Sequence, residues 1–347
     1  MRRRPVLAAL AAAGASLLVG SRPQQRVLVL GGTRFVGRHI VAAALAAGHR
    51  VTLFNRGRTA PGLFAAAEEL HGDRGGDLEV LRGRRWDVVV DTSGTEAGHV
   101  RRSAELLASA ASRYVFVSSI AVYRAGGAAE YAEEASLRPS AGERSYGEHK
   151  LAGELAVTRW FGARATIVRP AVLVGPHDPY DRFVRWPLRA REGGDMLVPG
   201  APDDVVPLAD ARDLAAWVVR ILAAEIGGIY NVAGAGLTME ALIAGCLRRA
   251  GASVVPTWID AAWLKPRELD FGDVPPLLKP AYQRCSSARA TARGLRFRGL
   301  DATLGDTLAW WDAERPRGLR DLAREREREL LAEWHARGPE GLGERLR

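Results

Sequence analysis

Three side chains in the middle of the chain have the types and the spacing of a proton-transfer site. Tyr146 and Lys150 stand four residues apart in a segment, 145–160, that is predicted to be helical, so both lie on one face of that helix. A tyrosine is a poor base at neutral pH because its pKa is ordinarily roughly 10. An ammonium one turn away favours the phenolate and brings the hydroxyl towards the range of a general acid or base. Ser119 follows a predicted strand, 114–117, and its hydroxyl can hold a substrate oxygen and stabilise developing charge.

A glycine-rich turn near the start of the chain predicts a dinucleotide site. The turn lies between a predicted strand, 26–30, and an Ala-rich predicted helix, 38–47, and a second predicted strand covers 51–54. Such a unit presents the N-terminus of a helix to a pyrophosphate. Arg34 stands where the middle glycine is expected, so it must point outward or reach the phosphates with its guanidinium. The predicted cofactor-binding residues of the turn are Gly31, Gly32, Thr33, Arg34, Phe35, Val36 and Gly37.

The residues after the second predicted strand favour NADP over NAD. An NAD site usually has an aspartate there that binds the ribose 2′-hydroxyl, whereas this chain has Asn55 and Arg56, with Arg58 close by. An arginine can pair with a 2′-phosphate. Two alternatives stay open: Arg56 could be a solvated loop residue, and the cofactor could be NAD. Asp73 is either an adenine contact or a turn residue. The cofactor set is completed by residues at the ends of later predicted strands, Asp91, Thr92, Ser93 and Pro170, together with Tyr146 and Lys150.

Taken together, these motifs resemble the extended and atypical short-chain dehydrogenases/reductases, the NAD(P)-dependent epimerase/dehydratase family. The resemblance extends over roughly residues 26–315. It implies an α/β fold, a Rossmann-type doubly wound parallel sheet with a smaller C-terminal substrate-binding lobe. It also implies Tyr146 as general acid or base, Lys150 as its partner and ribose anchor, and Ser119 as the substrate-orienting hydroxyl. Ser119 is chosen over Ser118 because its offset to Val122 and Tyr123 matches the family.

Departures from the family pattern narrow the expected chemistry. The dehydratases of the family carry Asp-Glu after the serine, where this chain has Ile120 and Ala121. The nucleotide-sugar epimerases usually have an asparagine after the next strand, where this chain has Ala171 after Pro170. We therefore expect an oxidoreductase that transfers hydride at a hydroxyl or carbonyl of a small substrate. The alternatives are an epimerase without net redox change, and RNA binding, because chloroplast stem-loop-binding proteins resemble the same branch and have a similar turn.

A long connection after residue 174 is the predicted start of the substrate lobe. We predict that the substrate contacts Ser118, His177, Arg182 and Trp186. An arginine suits a carboxylate or phosphate, but Arg182 could instead pair with Asp178 or Asp181 and clamp the two lobes. Further along, residues 192–204 are predicted as hairpin turns and Asp213 as a helix N-cap. The tail, 321–336, is predicted as a charged helix whose apolar stripe docks on the domain or on a second subunit.

Whole-chain features set the remaining expectations. The 347 residues carry a net charge of +9, spread along the chain rather than clustered, so no nucleic-acid partner is expected. The two cysteines, Cys246 and Cys285, make no disulfide framework, and no metal site is predicted.

Residues 1–21 resemble a twin-arginine signal peptide and predict export, with an uncleaved anchor, a mistaken start or a cytoplasmic location as alternatives. The predicted divisions are 1–21, the NAD(P)-binding domain 22–174, the interleaved substrate lobe 175–315 and the tail 316–347. Neither stable membrane insertion nor a fixed oligomeric state is predicted, although the resemblance makes a homodimer possible.

Overall fold

The computed structural model describes most of the chain after its first residues. The described residues are 24–126, 130–139, 144–224, 226–234, 236–267, 269, 284–314 and 322–337. The predicted signal segment, 1–21, lies outside the described residues. None of the helices in the described residues is long and apolar enough to cross a membrane.

Strands and helices alternate along most of the chain. The described strands are β1 Arg26–Leu30, β2 Arg50–Asn55, β3 Glu68–His71, β4 Trp86–Asp91, β5 Ala111–Val117, β6 Ala165–Pro170, β7 Val172–Val174, β8 Gly194–Pro199, β9 Leu208–Asp210, β10 Gly228–Val232 and β11 Val254–Ile259. The described α-helices are α1 Phe35–Ala46, α2 Ala97–Leu107, α3 Tyr146–Phe161, α4 Arg185–Arg191, α5 Ala211–Ala223, α6 Met239–Ala250, α7 Ala261–Leu264, α8 Ala288–Ala292, α9 Leu300–Glu314 and α10 Arg324–His335.

A seven-stranded parallel sheet with helices on both faces is the centre of the fold. Its strand order is β10-β6-β5-β4-β1-β2-β3, and every neighbouring pair is parallel. Helices α1 and α5 pack together over one core, and α2 and α3 pack together over the other. The order reverses at β1 and β4, so a crevice opens at the carboxyl ends of these strands, where such sheets bind ligands. The sheet confirms the predicted doubly wound α/β fold.

The structure differs from the sequence-based prediction at residues 192–204 and at Asp213. Residues 192–204 were expected to form hairpin turns, but β8 lies there and pairs in parallel with β11, with Gly194 opposite Val254 and Pro199 opposite Ile259. Asp213 was expected to cap α5, but the N-cap is Asp210, whose carboxylate accepts a hydrogen bond from the Arg212 backbone N–H at 2.9 Å. Asp213 instead accepts hydrogen bonds from the backbone and side chain of Arg298, both at 2.8 Å. Both differences come from partners that are distant in the sequence.

The C-terminal helix α10 docks through a buried ion pair on the small lobe, which comprises α4, α6, β8 and β11. Glu327 is almost fully buried and accepts two hydrogen bonds from Arg189 Nε, at 2.8 and 3.1 Å. The same carboxylate accepts the Leu197 backbone N–H of β8 at 3.1 Å. Leu330 and Leu331 pack beside it, so the predicted apolar stripe covers this lobe of the same chain. The homodimer that the resemblance makes possible stays untested.

Replacing Glu327 with alanine is expected to lower the free energy of unfolding by about 3–5 kcal/mol, because the Arg189 guanidinium stays buried without its counter-charge. Urea unfolding of both proteins measures the difference. The matched control is Glu329→Ala on the same helix, which removes only a surface pair with Arg326 and should change the free energy by less than about 0.5 kcal/mol. Equal losses in the two variants would contradict the buried anchor.

Candidate functional site

The predicted site residues converge on one crevice of about 440 Å³ at the carboxyl edge of the sheet. It lies between the turn after β1, the ends of β4, β5 and β6, and the start of α3. The sequence-predicted residues that line it are Gly31, Gly32, Thr33, Arg34, Phe35, Val36, Gly37, Arg56, Thr92, Ser93, Ser118, Ser119, Tyr146, Lys150, Pro170 and Arg182. A larger groove of about 660 Å³ opens at the amino ends of β1, β2 and β4, and none of the predicted site residues lines it.

The turn after β1 has the close packing that a dinucleotide phosphate site requires. A Cβ added at Gly37 would lie 2.8 Å from the Gly32 nitrogen and 2.8 Å from Thr92 Oγ1, so no larger residue fits there. Gly31 and Gly32 both have positive φ, at 105° and 92°. Helix α1 begins at Phe35, three residues earlier than predicted, so the first turn of the helix lines the crevice. These residues fit a nucleotide pyrophosphate.

Arg34, in the place of the middle glycine, lies against a tyrosine from the substrate loop. Its backbone is extended, with φ −127° and ψ 137°, and its guanidinium lies 5.8 Å from the centre of the Tyr180 ring. The guanidinium of Arg182 lies 5.0 Å from the same ring. Arg34, Arg56, Lys150 and Arg182 all line the crevice, and no carboxylate is among the described residues that do so. The crevice therefore favours an anionic ligand.

The proton-transfer residues lie together at the start of α3. The helix begins at Tyr146 because Ser145 caps it, accepting the Glu148 N–H while Glu148 bonds back to the Ser145 N–H. Ser119 and Tyr146 line the same crevice, and the Ser119 hydroxyl, which accepts the Ala121 backbone N–H at 3.1 Å, is close enough to the Tyr146 phenol to affect its pKa. Lys150 is buried, with Nζ donating to the carbonyls of Gly94 and Val117, each at 2.8 Å, and lying 5.7 Å from the centre of the Tyr146 ring.

Burial controls the titration of both catalytic candidates. It lowers the pKa of Lys150 to about 8; the charges of Asp91 and Glu154 oppose this shift and that of Arg74 adds to it. About half of the Tyr146 side chain is exposed, yet loss of hydration at its hydroxyl raises the pKa of the phenol. The Ser119 hydroxyl lowers the pKa of the phenol and is the largest influence that opposes the loss of hydration. The sequence had suggested the Lys150 charge for this part.

Asp91 does not face the crevice, contrary to its prediction as a cofactor contact. It is fully buried, and its two oxygens accept hydrogen bonds from Arg74 at 2.6 and 2.7 Å and from the Tyr114 hydroxyl at 2.8 Å. Arg74 also donates to Ser93 Oγ at 3.0 Å, so the pair supports the floor of the site. Sequence reasoning missed Arg74, whose only signal is its place directly after Asp73.

A second pocket of about 310 Å³ adjoins the crevice at the end of β2 and shares the walls of the glycine turn. Asn55, Arg56, Arg58 and Asp73 line it. Asp73 accepts the Gly75 N–H at 2.7 Å, as a turn residue does, and still faces the pocket. Asn55 accepts the Gly57 N–H at 2.7 Å, and within the described residues its buried amide nitrogen has no hydrogen-bond partner. This pocket is positioned for the adenosine end of a dinucleotide.

Three of the predicted substrate contacts need correction. Trp186 is buried in the small-lobe core with Phe183 and Met196, so it cannot touch a ligand in the crevice. His177 packs against the rings of His39 and Trp310, and it does not line the crevice. The Ser118 hydroxyl is committed to Glu154 at 2.5 Å, although the residue borders the crevice.

Arg182 has both of the features that the sequence left as alternatives. It lines the crevice, and it forms an ion pair with Asp178, its Nη2 lying 3.2 Å from Oδ1 and its Nε 3.3 Å from Oδ2. A further Nη2 contact reaches the Leu173 carbonyl at 3.2 Å. The side chain is thus fixed in place, with much of its charge balanced by a carboxylate that is itself buried.

Similarity to solved structures covers most of the chain. A proposed epimerase from Burkholderia cenocepacia is 25% identical, with a TM-score of 0.67 over 85% of this chain and 100% of that one. The Bordetella bronchiseptica enzyme WbmG, solved in complex with NAD and UDP, is 18% identical, with a TM-score of 0.67 over 84% of this chain and 96% of that one. At that identity, the likeness to WbmG shows the fold alone.

Sequence similarity identifies the family. The chloroplast stem-loop binding protein of 41 kDa b from Arabidopsis thaliana is 28% identical in an alignment 277 residues long, which covers 74% of this chain and 70% of that protein. The profile of the NAD dependent epimerase/dehydratase family matches residues 27–233, more than half of the sequence. The chain therefore belongs to the NAD dependent epimerase/dehydratase family.

Proposed function

We propose that the protein is a nicotinamide-dinucleotide-dependent oxidoreductase that acts on a hydroxyl or carbonyl of a small substrate, with Tyr146 as the general acid or base. The observation that carries this proposal is the meeting of Ser119, Tyr146 and Lys150 in the crevice that the glycine turn also lines. A bound dinucleotide would supply or accept the hydride. The turn residues 31–37 would hold its phosphates, and Lys150 would hold a ribose hydroxyl.

The chain's own groups account for the proton. In reduction, the Tyr146 hydroxyl gives its proton to the substrate oxygen as that oxygen becomes a hydroxyl; in oxidation, the phenolate takes it back. Ser119, which lines the crevice beside Tyr146, orients the same oxygen and stabilises its developing charge. The absence of carboxylates among the described lining residues leaves Tyr146 as the group best placed for this transfer.

Epimerisation without net redox change is the alternative within the same chemistry. Solved structures of similar fold include a UDP-glucose 4-epimerase, 16% identical with a TM-score of 0.67 over 84% of this chain. An epimerase would retain its cofactor and show no steady change in nicotinamide absorbance during turnover. Net absorbance change with a hydroxyl or carbonyl substrate supports the oxidoreductase.

Replacing Tyr146 with phenylalanine is expected to lower turnover by about 10²–10⁴-fold, because the proton donor is lost. Dinucleotide affinity should stay within about twofold, since the ring and Lys150 remain. Turnover is measured over a panel of sugar and nucleotide-sugar substrates by nicotinamide absorbance and by product analysis. Tyr180→Phe, which changes another phenol lining the crevice, is the matched control. Equal activity in Tyr146→Phe and the wild-type protein would refute the assigned role.

We propose NADP as the preferred cofactor, with Arg56 and Arg58 facing its 2′-phosphate in the pocket at the end of β2. Arg56→Ala should weaken NADP binding by about tenfold or more, the loss of a hydrogen bond to a charged group, and leave NAD binding nearly unchanged. Isothermal titration with both dinucleotides measures the ratio, and Arg58→Ala tests the second arginine separately. If neither variant changes the NADP/NAD ratio, the cofactor is NAD.

RNA binding is a second candidate function, favoured by the similarity to the chloroplast stem-loop binding protein and by the net charge of +9. A mobility-shift assay with a stem-loop RNA at about 50 and 200 mM salt tests it. The enzymatic proposal predicts that any complex is lost at the higher salt, as nonspecific charge contacts are. A complex that persists there and distinguishes the stem-loop from a scrambled RNA would support RNA recognition.

A further inference from the structure

A buried carboxylate beneath the crevice has no part in the chemistry proposed above. Glu154 lies on α3 one turn after Lys150 and is only 4% exposed. Its Oε1 accepts hydrogen bonds from Ser118 Oγ at 2.5 Å and from Arg169 Nε at 2.9 Å. Its Oε2 accepts a hydrogen bond from Arg169 Nη2 at 2.7 Å. The carboxylate therefore ties the end of β5 and the end of β6 to the helix that carries Tyr146.

Arg169 extends the same network to the far strand of the sheet. Its Nη1 donates to the Tyr123 hydroxyl at 3.0 Å and to the Glu133 carbonyl at 3.1 Å. The Tyr123 hydroxyl in turn donates to Asn231 Oδ1, on β10, at 2.7 Å. Arg169 is 1% exposed, and its guanidinium donates four hydrogen bonds, two to Glu154, one to Tyr123 and one to the Glu133 carbonyl.

Stability alone does not explain such a pair. Removing two charges from water costs several kcal/mol per ion, and an apolar pair of similar volume is often as stable. What the pair gains is a fixed geometry, because a bidentate guanidinium–carboxylate contact allows little rotation. Here the fixed groups stand directly beside the site: Ser118 precedes Ser119, and Arg169 precedes Pro170, which lines the crevice.

We propose that Glu154 is a positioning residue which, clamped by Arg169, holds the strand end that carries Ser119 against the helix that carries Tyr146 and Lys150. The purpose that we assign to the clamp rests on the proposed function. The clamp itself can be measured without any turnover. A second consequence concerns charge, because Glu154 also acts on the buried ammonium of Lys150.

The groups that face Lys150 come from every element around it. Asp91 of β4 and Glu154 of α3 favour its ammonium, Arg74 from the loop after β3 opposes it, and the rings of Phe116 and Tyr146 lie 5.0 and 5.7 Å from Nζ. Because Glu154 is one of the two carboxylates that favour the charged form, neutralising it lowers the pKa of Lys150. Lys150 then loses its proton at a lower pH than in the wild-type chain.

Lysine NMR measures this titration directly. The sequence has only three lysines, Lys150, Lys265 and Lys279, so a sample labelled with ¹³C-lysine gives few signals, and Lys150→Arg assigns the one that matters. In Glu154→Gln, the Lys150 signal should titrate at lower pH than in the wild-type protein. Glu105→Gln, which neutralises an exposed carboxylate on α2, is the matched control and should leave the signal unchanged. An unchanged Lys150 titration in folded Glu154→Gln overturns the charge effect.

Amide hydrogen exchange measures how firmly the clamp holds the end of β5. The variant Ser118→Ala keeps the test valid if Glu154→Gln fails to fold. Ser118→Ala removes the hydrogen bond from Ser118 to Glu154 and leaves the Glu154–Arg169 pair in place. Exchange in the segment 116–123 should become faster, by up to about tenfold for one buried hydrogen bond, while the Lys150 titration stays as in the wild type. Unchanged exchange in that segment overturns the clamp, and so does a uniform increase over the whole chain. Neither readout needs a substrate, so failure of the Tyr146 assignment is seen separately in Tyr146→Phe turnover.

Discussion

The buried ammonium of Lys150 is the constraint on which the site depends. It donates to the Gly94 and Val117 carbonyls, which follow β4 and end β5, so one side chain from α3 joins the two strands beside the crevice. A charged group at this depth loses most of its hydration, and the pKa of about 8 expresses that cost. Under the proposed function, this ammonium would also bind a ribose hydroxyl of the dinucleotide. Its position on the first turns of α3 also fixes where Tyr146 points.

Two buried arginine–carboxylate pairs stand on either side of this lysine. Arg74 and Asp91 lie by the pocket at the end of β2, and Arg169 and Glu154 lie by the part of the crevice that Ser118 and Pro170 line. Both carboxylates favour the lysine's charge, yet both are screened from the crevice, whose described lining is cationic. The cationic side chains that line the crevice favour an anionic ligand, while the carboxylates of Asp91 and Glu154 are each neutralised by a buried arginine. Under the proposed function, the same separation would keep a carboxylate from competing with Tyr146 for the substrate proton.

Residues close in sequence, or following a strand end, were predictable, whereas residues defined by distant partners were not. The four-residue spacing of Tyr146 and Lys150 and the turn at 31–37 report local geometry, so the sequence places them well, and the strand–turn–helix order predicted the sheet. Trp186 could not be distinguished from a ligand contact, because only the packing of the small lobe buries it. Likewise the sequence of β8 lacks the alternation of apolar and polar residues that predicts a strand, because most of its residues are buried. Its partner β11 lies far downstream. Asp91 ends a strand as ligand contacts do, and only Arg74 shows that its oxygens are already used.

The arginine in the phosphate turn shows why one glycine of the motif is dispensable and the others are not. Gly31 and Gly32 need positive φ, and Gly37 has no room for a Cβ against backbone and Thr92. Position 34 has neither restriction: its backbone is extended, as expected for an N-cap, and any residue can adopt it. A glycine there serves only the close approach of phosphate. Arg34 gives up that approach, supplies a guanidinium at the crevice wall, and meets Tyr180 of the substrate loop, so the cofactor turn and the substrate loop share a contact that a glycine could not make.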